Sequence, residues 1–203
     1  MAETRRQISR AIRVIRQMLH LPTPIRTEDR RVLEQVIFPY YRSRADIKSV
    51  LFVGCQWYTR HYERAFFGGC DYWTIEPSSR ARKYGGRQHV VAPMEQLDLH
   101  FPEGSFDCII CNGVYGFGLD TLEQGEWAFT HAFSCLRPGG HLILGWNDIP
   151  ALRPFPLEQL ESLRRFERFS FPAFGTWRYV TATPHRHVYD FYIRPAAPCG
   201  AAQ

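Results

Sequence analysis

At 203 residues, 45% hydrophobic and 22% charged, the chain can bury one two- or three-layer core and is too short for several domains. No run approaches the roughly 18 apolar residues of a membrane span, and the arginine-rich N-terminus lacks the apolar stretch of a secretory signal, so a cytoplasmic address is expected and no membrane partner. The formal net charge of +5 belongs to residues 1–31, where eight arginines face three acidic residues; the rest is balanced, which argues against a nucleic acid gripped across the whole domain.

In chain order, Ile8, Ile12, Ile15 and Leu19 recur at helical spacing, with Arg6, Arg10, Arg13 and Arg16 mostly on the other side. "LPTP" at 21–24 breaks that helix. A second helix is predicted from Thr27, a good N-cap followed by Glu28 and Asp29, and carries Val32, Leu33, Val36 and Ile37. Residues 1–45 are therefore expected to form a helical appendage and a candidate lid. From Lys48 the pattern changes. Strands are predicted at Val50–Val53, 71–76, 88–92 and 106–112, and a helix over about 123–136. "RPGG", 137–140, reads as a turn, and "HLILGW", 141–146, as a strand. Strands alternating with helices imply a parallel sheet covered on both faces. "RFERFSFPAF" (165–174) and "HVYDFYIR" (187–194) form a final β pair, so the main domain spans 46–195 and 196–203 is a frayed tail.

The six cysteines are scattered, most of them inside apolar runs. "CIIC" at 108–111 has metal or redox spacing, but on a strand residues three apart point to opposite faces, so buried structural cysteines are expected. His185 and His187, in "TPHRHVYDFY", share one face of the chain leading into a strand, which a metal could use. With no third ligand in sequence reach, no metal is expected.

In an open parallel α/β sheet, ligands bind at the carboxyl ends of the strands. Those ends are Gly54-Cys55-Gln56, Glu76, Glu95 shortly after the third strand, Asn112-Gly113 and Trp146-Asn147-Asp148. Glu76 lies 22 residues beyond Gly54, near the offset of an acid that accepts from both hydroxyls of a ribose.

"VLFVGC", "WTIEP", "FPEGSFDCIICNGV" and "CLRPGGHLILGW", in that order over about 48–150, resemble class I S-adenosylmethionine-dependent methyltransferases. The resemblance implies a Rossmann-like α/β three-layer sandwich, its seven-stranded sheet mostly parallel with an antiparallel last strand, plus the N-terminal helices. It also implies S-adenosyl-L-methionine as cofactor. The ligand set it implies is Gly54, Cys55, Gln56 and Tyr58 at the methionine portion, Glu76 and Pro77 at the ribose, Met94 and Glu95 at the adenine, and Asn112 and Gly113 beside the sulfur. The chain departs from the family in its loop: only Gly54 of the expected glycines remains, and Gln56 and Tyr58 replace the next two, as in a rebuilt ligand turn. Trp57, Tyr58, Tyr62, Tyr115, Phe117 and Trp146 supply rings for a sulfonium cation. "NGVY" has the spacing of the "NPPY" box of amino-group methyltransferases without its prolines.

Methyl transfer to oxygen or nitrogen of a small molecule is therefore expected, with Tyr115, Trp146 and Asp148 at the reacting end. Two alternatives remain: an azetidine-forming cyclisation of the cofactor's own methionine tail, releasing methylthioadenosine, and a non-catalytic binding protein.

Overall fold

In the computed structural model, which describes residues 27–196, the apolar runs after Lys48 form one sheet. β1 (Ser49–Val53), β2 (Asp71–Ile75), β3 (Gln88–Val90), β4 (Phe106–Asn112) and β5 (Leu136–Asn147) pair in parallel. β8 (His187–Ile193) lies antiparallel beside β5, and its other edge is shared by the short strands β6 (Glu167–Arg168) and β7 (Arg178–Val180). The order β3-β2-β1-β4-β5-β8-β6, with β7 also on β8, is the expected mostly parallel sheet with an antiparallel strand near its end. β7 is the strand that the sequence did not announce. The expected N-terminal helix with Ile8 to Leu19, its lid role, Cys199 and the tail beyond 196 lie outside the described residues.

Strand alternation divides the core in two. Val50, Phe52, Cys108, Ile110 and Ile143 face one layer, and Leu51, Val53, Ile109, Cys111, Leu142 and Leu144 the other. Cys108 and Cys111 thus sit on opposite faces, each fully buried, as expected of structural cysteines. The second layer is covered by α5 (Leu122–Cys135), which starts in a capping box between Thr121 and Gln124 and buries Ala128, Phe129 and Ala132. α4 (Leu97–His100) and α6 (Glu161–Arg164) pack beside it.

The first layer is covered by a helix in three pieces. α1 (Glu28–Val32) passes into a π-helical stretch, Leu33–Ile37, and then into α2 (Phe38–Ser43). Pro39 explains the wide turn: it has no N–H for the carbonyl four residues back and its ring crowds that carbonyl, so an ordinary α turn cannot run through it. Leu33, Ile37, Phe38 and Tyr41 are fully buried against the sheet, and α3 (Tyr62–Phe66) adds Tyr62. Thr27 does stand at the N-cap of α1, but its hydroxyl makes no capping bond.

"RPGG" is a correction to the expected turn. β5 already pairs at Leu136 with Phe106, and the register then shifts so that Cys108 meets His141. Residues 137–140 are a bulge within the strand, made by Gly139 at φ +75° and fastened by the bonds Gly139 N–H to Arg194 O and Arg194 N–H to Gly140 O, both 2.8 Å. Among the described residues no helix is long and apolar enough to cross a membrane.

Inside the first layer His141 is 1% exposed, between the rings of Tyr41 and Phe169. Burial, helped by the charge of Arg44, pushes its pKa down from 6.5 to about 4. The unfolded ring therefore takes up a proton that the folded one refuses. Stability supplied by the neutral ring is present above about pH 6.5 and is lost as pH falls toward about 4, up to roughly 3 kcal/mol. Denaturant unfolding at pH 7 and 4.5 should show this loss, and His141→Leu should reduce it; an equal acid loss in the variant would remove His141 as its source.

Candidate active site

A cavity of about 470 Å³ opens where β1, β2 and β4 end, and is lined by Gly54, Glu76 and Asn112 among others. It starts from a turn that only glycine fits. Gly54 has φ +86° and donates its N–H to Ile75 O at 3.0 Å. A Cβ there would stand 2.9 Å from Val114 Cγ2. The next N–H, of Cys55, donates to Glu76 Oε2 at 3.1 Å, and Ser78 N–H donates to Oε1 at 3.0 Å. The carboxylate at the β2 tip is thus locked from behind, and each oxygen keeps acceptor capacity toward the cavity.

Where the family has further glycines, a hydroxyl closes the loop. Thr59 Oγ1 donates to Gln56 O at 2.9 Å and accepts from Gln56 N–H at 3.1 Å, and Thr59 N–H also donates to Gln56 O. Gln56 and Tyr58 line the cavity, together with Cys55. Over the Tyr58 ring, at 4.2 Å, lies the guanidinium of Arg30, which donates to Tyr62 Oη at 2.9 Å while Tyr62 donates to Glu34 at 3.0 Å. Arg30 is 8% exposed and also lines the cavity, a fixed positive charge beside the loop. Pro77, Met94 and Glu95 line it as well.

Asn112 and Gly113 form the wall at the β4 tip. Asn112 lies across Gly145, where a Cβ would come within 1.9 Å of Asn112 Oδ1. Asn112 Oδ1 is 3.1 Å from His187 Nε2, and His187 Nδ1 is 2.7 Å from Asn147 Oδ1. Burial pushes the His187 pKa down to about 4; Asp29 opposes this, and Arg30 and His185 add to it. Its ring is neutral at neutral pH.

All ten residues that the resemblance named around the cofactor lie along this cavity. The three assigned to the reacting end do not. Tyr115 is 1% exposed and donates its hydroxyl to Phe155 O. Trp146 packs edge-on to Tyr115 and donates Nε1–H to the buried Asp190 at 3.0 Å. Asp148 pairs with Arg153 at 3.1 Å and Arg186 at 3.3 Å. The alternation of β5 decides this: Asn147 faces the cavity, and its neighbour Trp146 must then face the core. Of the six rings expected near a sulfonium, Tyr58 and Phe117 line the cavity.

The sequence reading missed Asp29 and Arg30 as site residues and mentioned Asn147 only in passing. Asp29 had signalled a helix start and nothing more. His185 and His187, weighed only for a metal, both line the cavity. A signal existed for them: an antiparallel last strand begins, rather than ends, at the ligand edge.

A sequence family described as "Methyltransferase domain" matches residues 51–144. The fold is similar to that of the N-methyltransferase NodS from Bradyrhizobium japonicum WM9, at 15% identity and TM-score 0.63, over 82% of this chain and 96% of that one. A Burkholderia thailandensis 1,6-didemethyltoxoflavin-N1-methyltransferase is similar at 16% identity and TM-score 0.53, over 85% and 92% of the two chains. TrmN from Thermus thermophilus is similar at 16% identity and TM-score 0.55, over 81% of this chain and 48% of that one. No curated protein matches by sequence. In its matched domain, its sheet order and its strand-end cavity, the chain is similar to class I S-adenosylmethionine-dependent methyltransferases and shares their fold.

Proposed function

We propose that the cavity binds S-adenosyl-L-methionine and that the protein transfers a methyl group to an oxygen or nitrogen of a small molecule. The observation that carries this reading is the Glu76 carboxylate, held by two backbone N–H groups and open toward the cavity. The residues present fit the cofactor. A cavity of about 470 Å³ is within the range of small-ligand sites. Arg30 offers a buried cation to the amino-acid carboxylate, Glu76 two acceptors to the ribose, and Met94 and Glu95 an apolar and a polar contact to the base. Bound there, the cofactor supplies an electrophilic methyl group.

Methyl transfer needs the acceptor fixed close to the methyl and away from water, so positioning dominates. Asn112, Asn147 and His187 form a hydrogen-bonded wall for this. Asp29 and His187, each less than a tenth exposed, enclose that end, which suits a small acceptor better than a polymer. NodS has been solved in complex with S-adenosyl-L-homocysteine, at TM-score 0.61 to this chain, which agrees with the cofactor assigned here.

The test is calorimetric titration with S-adenosylmethionine, followed by product analysis with a panel of small amines and alcohols. S-Adenosylhomocysteine in proportion to methylated acceptor is expected. Methylthioadenosine would replace the reading with cyclisation, and tight retention without turnover would replace it with binding alone. Methylation of transfer RNA in preference to every small acceptor would overturn the small-molecule part.

A further inference from the structure

Asp29 remains unemployed by the reading above. It is 7% exposed and lines the cavity, and among the described residues its Oδ1 has no hydrogen-bond partner. Its other oxygen is 4.0 Å from Arg30 Nε, a loose contact, because that guanidinium is committed to Tyr58 and Tyr62. A buried carboxylate oxygen left unpaired is costly, and the cost is removed by a donor or a cation.

Two imidazoles share its surroundings. One oxygen of Asp29 and one ring nitrogen each of His185 and His187 lie within 4.8 Å of one another. Donors at about 2.1 Å from one tetrahedral ion stand roughly 3.4 Å apart, so the three need to close by at most roughly 1.4 Å. The backbone prepares this set. Arg186, between the histidines, has φ +47° and is the one non-glycine residue in that region among those described. The turn it makes brings both rings to the same cavity wall, their centroids 6.3 Å apart.

His187 is oriented as a metal-bound histidine is, with one nitrogen on an oxygen and the other free to ligate. A neutral ring has one N–H for two amide oxygens, Asn147 Oδ1 at 2.7 Å from Nδ1 and Asn112 Oδ1 at 3.1 Å from Nε2; with the proton on Nδ1, at the shorter contact, the Nε2 lone pair faces Asn112 Oδ1. Two acceptors facing each other at that distance are the pair that a cation joins; without one, the Asn112 amide turns and donates its N–H instead.

We propose that Asp29, His185 and His187, joined by Asn112 Oδ1, bind a divalent transition metal, with zinc the best match to two imidazoles and a carboxylate. The ion would sit at the acceptor end of the cavity, where it would anchor an acceptor oxygen or nitrogen and ease loss of its proton. That use rests on the methyl-transfer reading; the metal site itself does not.

The test uses untagged protein freed of metal with a chelator, titrated with Zn²⁺ by calorimetry and with Co²⁺ by visible absorption. One equivalent of Zn²⁺ at micromolar affinity or tighter is expected, and Co²⁺ bands without thiolate charge transfer. Asp29→Ala and His185→Ala should each weaken Zn²⁺ binding by about 100-fold or more. His185 is only partly buried, so its variant should keep the wild-type melting temperature without metal. No stoichiometric binding, an unchanged affinity in His185→Ala, or a thiolate-bound Co²⁺ spectrum would overturn the site. Titration of the same samples with S-adenosylhomocysteine separates the two ideas. Cofactor binding without metal overturns the metal site alone, and metal binding without cofactor overturns the methyl-transfer reading alone.

Discussion

Glu76→Gln should lower the affinity for S-adenosylhomocysteine by roughly 1.5–3 kcal/mol, on the order of 10- to 100-fold. The substitution acts twice. It removes the charge that would strengthen bonds to two ribose hydroxyls. It also replaces one acceptor by an NH₂ group, and both carboxylate oxygens now receive a backbone N–H, from Cys55 and Ser78. Whichever way the amide turns, its NH₂ faces a donor, and the loop after Gly54 loses a tether. Glu76 is only partly buried, so the melting temperature without ligand should change little. A calorimetric isotherm identical to wild type would remove Glu76 from the site.

Phe38→Ala should destabilise the protein by about 3–5 kcal/mol. Phe38 is fully buried and its ring meets four others, with centroids 6.4 Å from Phe52, 4.9 Å from Tyr62, 5.0 Å from Phe66 and 5.0 Å from Phe67. It therefore ties α2 to β1 and α3 at once, and aromatic rings fixed on all sides leave little room for the cavity to collapse. Tyr62, which holds Arg30, is one of those neighbours, so ligand affinity should fall with stability. Denaturant unfolding measures the loss, and Phe38→Leu should cost about 1.5 kcal/mol or less. A loss below about 1 kcal/mol for the alanine variant would mean that the layer repacks freely.

What the sequence made legible is what local pattern controls. β1, β2 and β4 stood out as apolar runs ending in Gly54, Glu76 and Asn112, and those three ends do line one cavity. Glu95 followed from the same rule, and Met94 from the family resemblance. The rule failed where position depends on distant pairing. Trp146 and Asp148 were chosen because they end a strand, but which β5 side chains face the cavity is set by register with Asn112 and His187. "RPGG" has turn residues, yet Phe106 and Arg194 hold it within the sheet. Asp29 and His187 are brought together by the fold over a separation that no spacing argument spans.

The π-helical stretch also acts as a phase setter. A π turn holds about one residue more than an α turn, and one residue is about 100° of rotation around a helix axis. Everything N-terminal to Leu33–Ile37 is therefore rotated relative to a continuous α-helix that packed Phe38 and Tyr41 identically. It is this offset that aims Asp29 and Arg30 at the cavity while Val32 and Leu33 stay in the core. The direction in which the two charges point thus depends on a proline about ten residues further along the chain, and a chain with another residue at Pro39 would be free to rewind and carry both off the wall.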